Sequence, residues 1–251
     1  MEPLQATRAD TPAPHHRRLG IFGGTFDPVH NGHLALARAA LKLFDLHAIL
    51  WIPTWHPPHK SGLITKGVHR RAMVEAAIAR DPQFHLGPPT AKFHYAIDTF
   101  THVQILHPNN EWYWLLGSDT FKTLPRWYQR QQLIPAVTWL VFPRLTSSPT
   151  KDATTGRRGD GATGRGEEKR KSKLYNLGNS LLTPTPIESS CEQTIRQLRR
   201  QEIPIRWHLI PTTIPPISST QIRQGYCQGR PLSHLLPKAV LAYITTHQLY
   251  P

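Results

Sequence analysis

The stretch that most limits what this chain can fold into is "RLGIFGGTFDPVHNGHLALARAALKLF", Arg18 to Phe44. Arg18 to Phe22 is a short apolar run closed by Gly23-Gly24, which predicts a buried strand ending in a tight turn. From Leu34 onward Leu34, Ala37, Leu41 and Phe44 recur at helical spacing, while Arg38 and Lys42 fall on the opposite face. His47 to Pro53, "HAILWIP", predicts a second buried strand. A strand, a helix and a strand of these lengths make a parallel crossover unit, because two antiparallel strands would need only a tight turn between them.

The alternation continues. Helices are predicted over His69 to Arg80 and near Tyr95 to Leu106, with a short strand at Phe84 to Leu86 between them. A central strand follows at "WYWLLG", Trp112 to Gly117, then a short helix, the segment "LPRWYQRQQLI" and a strand over Val137 to Pro143. Further on come a helix over Glu192 to Gln201, a strand over Ile205 to Pro211, a helix at "ISSTQIRQGY" and a last helix within "PKAVLAYITTH". Strands separated by helices predict an α/β fold with a Rossmann-like, doubly wound parallel sheet covered on both faces. Ligands of such sheets bind beyond the carboxyl ends of the strands, where the glycine turn lies.

A chain of 251 residues is long enough for one sizeable core. The predicted organisation is a disordered basic tail over 1–17 and a single domain over 18–251, interrupted by a flexible insertion at about 146–173. The insertion is rich in Lys, Arg and Gly and nearly free of apolar residues, so it cannot bury enough surface to offset its ordering entropy. A solvated linker is the simpler reading of it than an RNA contact. The net charge of +14, from 30 Lys and Arg against 16 Asp and Glu, favours an anionic partner: nucleotide, nucleic acid or phospholipid head group. Cys191 and Cys227 form no disulfide framework or zinc knuckle, which suits a reducing cytoplasm. No uncharged apolar run approaches the roughly 18 to 20 residues a membrane helix needs, so no membrane association is expected.

Gly23 and Gly24 let backbone approach a ligand, and the N–H groups of the helix start attract anions. The turn is neither a GxGxxG fingerprint nor a P-loop. His30 and His33 lie at i and i+3 at the helix entrance and face the same side, so two donors could grip one phosphate. They could equally cap the turn, whereas no Cys or carboxylate spacing supports a metal site. At "ISSTQIR", Ser218 and Gln221 have the form of a capping box that places Ser219 and Thr220 in the first turn and Arg223 one turn on. This is either a second anion site of hydroxyls, amides and guanidinium, or a plain capped helix with a surface arginine.

Taken together, "GGTFDPVHNGHL" and "ISSTQIR" resemble the nucleotidyltransferase superfamily marked by HxGH and [ST]-[ST]-T-x-[IL]-R. "IPTWHPPHK", "LLGSDTFKTLPRWY" and "LLPKAVLAYITTHQLY" are similar to the corresponding segments of bacterial nicotinate-nucleotide adenylyltransferases, in order from about Leu19 onward. The resemblance implies attack of the 5′-phosphate of nicotinate mononucleotide on the α-phosphate of ATP. The products are nicotinate adenine dinucleotide and pyrophosphate. It implies that His30 and His33 contact the ATP phosphates, with His33 at the reacting α-phosphate, and that Arg223 with Ser219 and Thr220 holds the β- and γ-phosphates. Gly23, Gly24, Thr25 and Phe26 would line the ATP site and Asp119 would meet a ribose, although a bare Asp there also suits a helix cap.

For the mononucleotide the resemblance implies His59 and Lys60 at its phosphate, Trp127 stacked on the pyridine ring, and the Tyr128 backbone at the carboxylate. Tyr95 and Thr99 complete that pocket. Mg2+ is implied with ATP, held by phosphates and water and not by protein side chains. Two positions depart from the family pattern: Ala96 replaces a common threonine, and Trp55 stands where smaller polar residues are frequent. A pantetheine-phosphate adenylyltransferase is disfavoured because that family lacks the "PPHK" and "LPRWY" segments. A nicotinamide-preferring enzyme would differ only in the pocket's treatment of an amide. An RNA-binding protein is disfavoured, since neither RRM strands nor a GXXG loop occur. Association of identical copies is compatible with the sequence.

Overall fold

The computed structural model describes residues 16–55, 64–143, 186–211 and 217–251. Residues 1–15 of the tail predicted over 1–17, the insertion, and His59 and Lys60 lie outside these residues. Six strands, β1 (Arg18–Gly24), β2 (Ala48–Pro53), β3 (Phe84–Leu86), β4 (Glu111–Gly117), β5 (Thr138–Phe142) and β6 (Arg206–Leu209), form one sheet in the order β3-β2-β1-β4-β5-β6. Every neighbouring pair is parallel, as the alternation of strand and helix requires.

The side chains of β1 show how the sheet separates two cores. Leu19 and Ile21 point into one, with Ile97, Phe100, Leu133, Ile134 and Ile195, while Phe22 points into the other, with Leu34, Trp51, Met73, Ile222 and Val240. The first core is covered by α3 (Ala96–Leu106), α5 (Arg130–Ala136) and α6 (Pro186–Arg200). The second is covered by α1 (Asn31–Phe44), α2 (Gly67–Ile78), α7 (Ser219–Cys227) and α8 (Lys238–Thr246). Helices on both faces explain why the strands read as continuous apolar runs. Each fully buried Leu, Ile or Phe contributes about 1.5–3 kcal/mol.

A four-residue helix α4 (Ser118–Phe121) and a 3₁₀ turn (Leu124–Arg126) lead from β4 to α5. Sequence periodicity places the start of α6 at Glu192, but the helix begins at Pro186. The reason is local: Pro186 has the φ of a first helical residue and no N–H to leave unpaired, and Glu188 lies in the first turn where a negative charge is favourable. No helix among the described residues is long and apolar enough to cross a membrane.

Candidate active site

Successive crossovers run from β1 outward to β3 in one direction and from β4 to β6 in the other. The direction reverses between β1 and β4, opening a crevice at their carboxyl ends. Gly23 and Gly24 end β1 on one side of it, and on the other Gly117 ends β4 and Ser118 and the exposed Asp119 open α4. At Gly24 an added Cβ would come within 2.9 Å of the Phe26 ring, so the turn tolerates no side chain there.

The two histidines form the entrance of α1 in a way the spacing alone did not reveal. His30 is the N-cap and His33 the third helical residue. The His33 N–H donates to Nδ1 of His30 at 3.3 Å, and the His30 N–H donates to Nδ1 of His33 at 3.2 Å. This is a capping box built from two imidazoles, with the rings stacked at a centroid distance of 3.6 Å. Because each Nδ1 accepts a backbone N–H, the ring proton resides on Nε2. Capping and phosphate binding are therefore compatible: one nitrogen of each ring serves the helix, and the other is a donor. The rings rest on aromatics, with Phe26 at 5.1 Å and Phe22 at 6.0 Å from His33.

Gly32 makes that stack possible. A Cβ at this position would lie 3.1 Å from Nδ1 and 3.2 Å from Cε1 of His30, with Ile217 behind it at 3.5 Å. Gly32→Ala is expected to lower turnover about tenfold or more by displacing the imidazole. The thermal midpoint should move by only a few degrees, because the helix preference of alanine, about 1 kcal/mol over glycine, offsets the crowding. Steady-state rates measured beside thermal unfolding check both halves of this expectation.

The second signature segment meets the first directly. Ser219 Oγ donates to the Pro28 carbonyl at 3.0 Å, and Arg223 Nη1 donates to the Asp27 carbonyl at 2.6 Å. Ser218 caps α7, but its oxygen accepts from Thr220 N at 3.2 Å and not from Gln221 as the expected box would have it. Hydroxyls, imidazoles and a guanidinium thus converge on one turn although nearly the whole chain lies between them.

The remaining sequence-predicted residues divide between crevice and core. Thr25 is half-buried and its carbonyl is held at 2.8 Å by Arg70. The Phe26 ring is buried between Phe22 and Trp51, so a nucleotide would meet this residue through its main chain. Phe26 also adopts φ 49°, a left-handed conformation that costs a bulky residue roughly 1–2 kcal/mol. Trp127 is half-buried, hydrogen-bonded through Nε1 to Thr123 at 2.9 Å and packed edge-on against Trp114 and Trp139. Tyr128 and Tyr95, both exposed, pair with each other at 4.3 Å, which brings the start of α3 to the segment after the 3₁₀ turn. Thr99 is buried in α3, one turn beyond Tyr95.

Sequence reading missed three residues that organise the site. Arg70, on α2, is 1% exposed and donates to the carbonyls of Thr65, Thr25, Thr54 and Trp55 at 2.6–2.9 Å. Burial lowers its pKa, and the Asp27 charge opposes that shift. Asp27 is itself buried, accepting from the Tyr250 hydroxyl at 2.7 Å and from Thr65 N at 3.4 Å, with Arg223 Nη1 at 3.9 Å. One signal for Arg70 was present: it falls in register with Met73, Val74 and Ile78 on the apolar face of α2, where an unpaired charge would not survive.

Fold and crevice together define a Rossmann-like nucleotidyltransferase. The profile of the cytidylyltransferase-like family matches residues 21–225. Proteins of Trichormus variabilis and of a Synechococcus strain, both named "Probable nicotinate-nucleotide adenylyltransferase", are 36% and 32% identical over 237 and 248 residues. The matches cover 93% and 95% of this chain and 97% of each relative. A solved structure of Plasmodium falciparum nicotinic acid mononucleotide adenylyltransferase complexed with NaAD has a TM-score of 0.62 at 18% identity, over 94% of this chain and 98% of its own, a likeness of fold. The chain belongs to the nicotinate-nucleotide adenylyltransferase family.

Proposed function

We propose that this protein transfers the adenylyl group of ATP to nicotinate mononucleotide, forming nicotinate adenine dinucleotide and pyrophosphate in NAD biosynthesis. One observation carries the assignment: the His30-His33 turn and the Ser219-Arg223 segment meet at the switch point of the sheet, where two anionic nucleotides would face each other. An oxygen of the mononucleotide phosphate forms the new bond to the ATP α-phosphorus. The bond to the bridging oxygen breaks, and its electron pair leaves with pyrophosphate. The attacking phosphate is already ionised, so the protein needs no nucleophile of its own and acts by positioning and by neutralising charge.

In this reading the Nε2–H groups of His30 and His33 donate to ATP phosphate oxygens, with His33 at the α-phosphate. Arg223, Ser219 and Thr220 hold the β- and γ-phosphates, while the backbone at Gly23, Gly24, Thr25 and Phe26 borders the nucleotide and Asp119 accepts from a ribose. Trp127 stacks on the pyridine, the Tyr128 backbone faces its carboxylate, and Tyr95 and Thr99 flank it. His59 and Lys60 are assigned the mononucleotide phosphate by resemblance. Imidazole, hydroxyl and guanidinium donors suit phosphate oxygens and not a cation, and no group of three or more candidate metal ligands occurs among the described residues. The proposed Mg2+ arrives on ATP, where it neutralises phosphate charge. We further propose that residues 18–251 act as one cytoplasmic catalytic domain to which the 146–173 insertion contributes no catalytic group.

The test is pyrophosphate release from ATP and Mg2+ with nicotinate or nicotinamide mononucleotide. A kcat/KM at least about tenfold higher for the acid is expected from a pocket that pairs with a carboxylate. No release with either substrate would remove the assignment, and equal rates would remove the specificity.

A further inference from the structure

Asp27 lies beneath the phosphate side of the crevice, and three distant segments converge on its carboxylate. The Tyr250 hydroxyl donates to Oδ1 at 2.7 Å, and Thr65 N donates to Oδ2 at 3.4 Å. Arg223 Nη1 bonds the Asp27 main-chain carbonyl at 2.6 Å but stands 3.9 Å from Oδ2. The carboxylate is 2% exposed, whereas the Arg223 side chain keeps 26% of its surface open.

These distances describe a competition. A buried carboxylate draws in whatever donors it can reach, and a guanidinium is its best partner. The short bond from Tyr250 supplies one donor and leaves Arg223 at the distance of a loose ion pair. We propose that Tyr250 is a positioning residue for ATP: its phenol occupies Asp27, so that Arg223 remains available to the leaving phosphates and is not captured by the carboxylate. Burial, foremost, and the adjacent Asp27 charge raise the phenol well above its usual pKa, so Tyr250 stays a donor throughout the working range. The inference rests on Arg223 holding the β- and γ-phosphates.

Tyr250→Phe deletes one oxygen and leaves the Asp27 carboxylate, among the described residues, with the 3.4 Å bond from Thr65 N as its one remaining hydrogen bond. A small movement of Arg223 would then satisfy the carboxylate and withdraw the guanidinium from nucleotide. Calorimetric titration of the full chain with ATP and with AMP, in the absence of mononucleotide, reads this without turnover. Y250F is expected to raise the Kd for ATP about five- to tenfold, the scale of one hydrogen bond to a charged group, and to leave the Kd for AMP within about twofold. In an R223A background Y250F should add less than about twofold, because both changes act through one guanidinium. An unchanged Kd for ATP, an equal loss for AMP, full additivity with R223A, or a Y250F chain that does not fold would each overturn the proposal. Wild-type protein that turns over normally in any of those cases leaves the proposed function standing, whereas wild-type protein that releases no pyrophosphate removes the function itself.

Discussion

His33→Ala is expected to lower kcat/KM by about 10³-fold while the protein stays folded. The side chain has two duties that differ in scale. As a cap it accepts the His30 N–H at 3.2 Å, and losing a cap costs about 0.5–2 kcal/mol out of a total stability of roughly 5–15 kcal/mol. As the proposed donor to the reacting phosphate it would be one of the preorganised groups whose removal typically costs about 10² to 10³ in rate. Loss of the stack would also remove a neighbour at 3.6 Å from the His30 ring, which adds to the rate effect. Turnover assays beside circular dichroism separate the two duties. Retained activity would end the catalytic role, and an unfolded variant would make the cap the dominant one.

Arg70→Met should be the most destabilising single change near the site, by about 3–5 kcal/mol in urea unfolding. Methionine fills much of the same volume, so packing alone predicts a small effect. Four carbonyls from three segments would nevertheless lose their donor, and buried Asp27 would lose a neighbouring positive charge. Removing one partner from such a buried network is far more costly than never having built it. A loss below about 1 kcal/mol would mean that water replaces the guanidinium.

The sheet was legible because each strand is a short apolar run bounded by glycine, proline or polar turns. Even the three-residue strand Phe84–Leu86 could be placed between two periodic helices. The two signature segments were legible as residue types at fixed spacing, and the structure adds that they meet and that His30 and His33 bond each other's backbone. Asp27 and Arg70 were not, since an Asp-Pro step and a helix containing arginines are ordinary surface features until burial is known. Tyr250 offered no local signal, because its partner is 223 residues away. Phe26 shows the reverse: a residue proposed to border the nucleotide, whose ring serves the core.

The span of the Asp27 contacts also bears on synthesis. Its side-chain and main-chain partners lie 38, 196 and 223 residues further along. The glycine turn is among the first parts of the domain to leave the ribosome, and it waits for nearly all the rest before its carboxylate is matched. A nascent chain that has reached only β5 therefore carries both imidazoles but lacks Ser219, Arg223, Leu235 and Tyr250, all of which bond the turn or the helix start beside them. The turn thus reaches its full set of contacts only after residue 250 has been made.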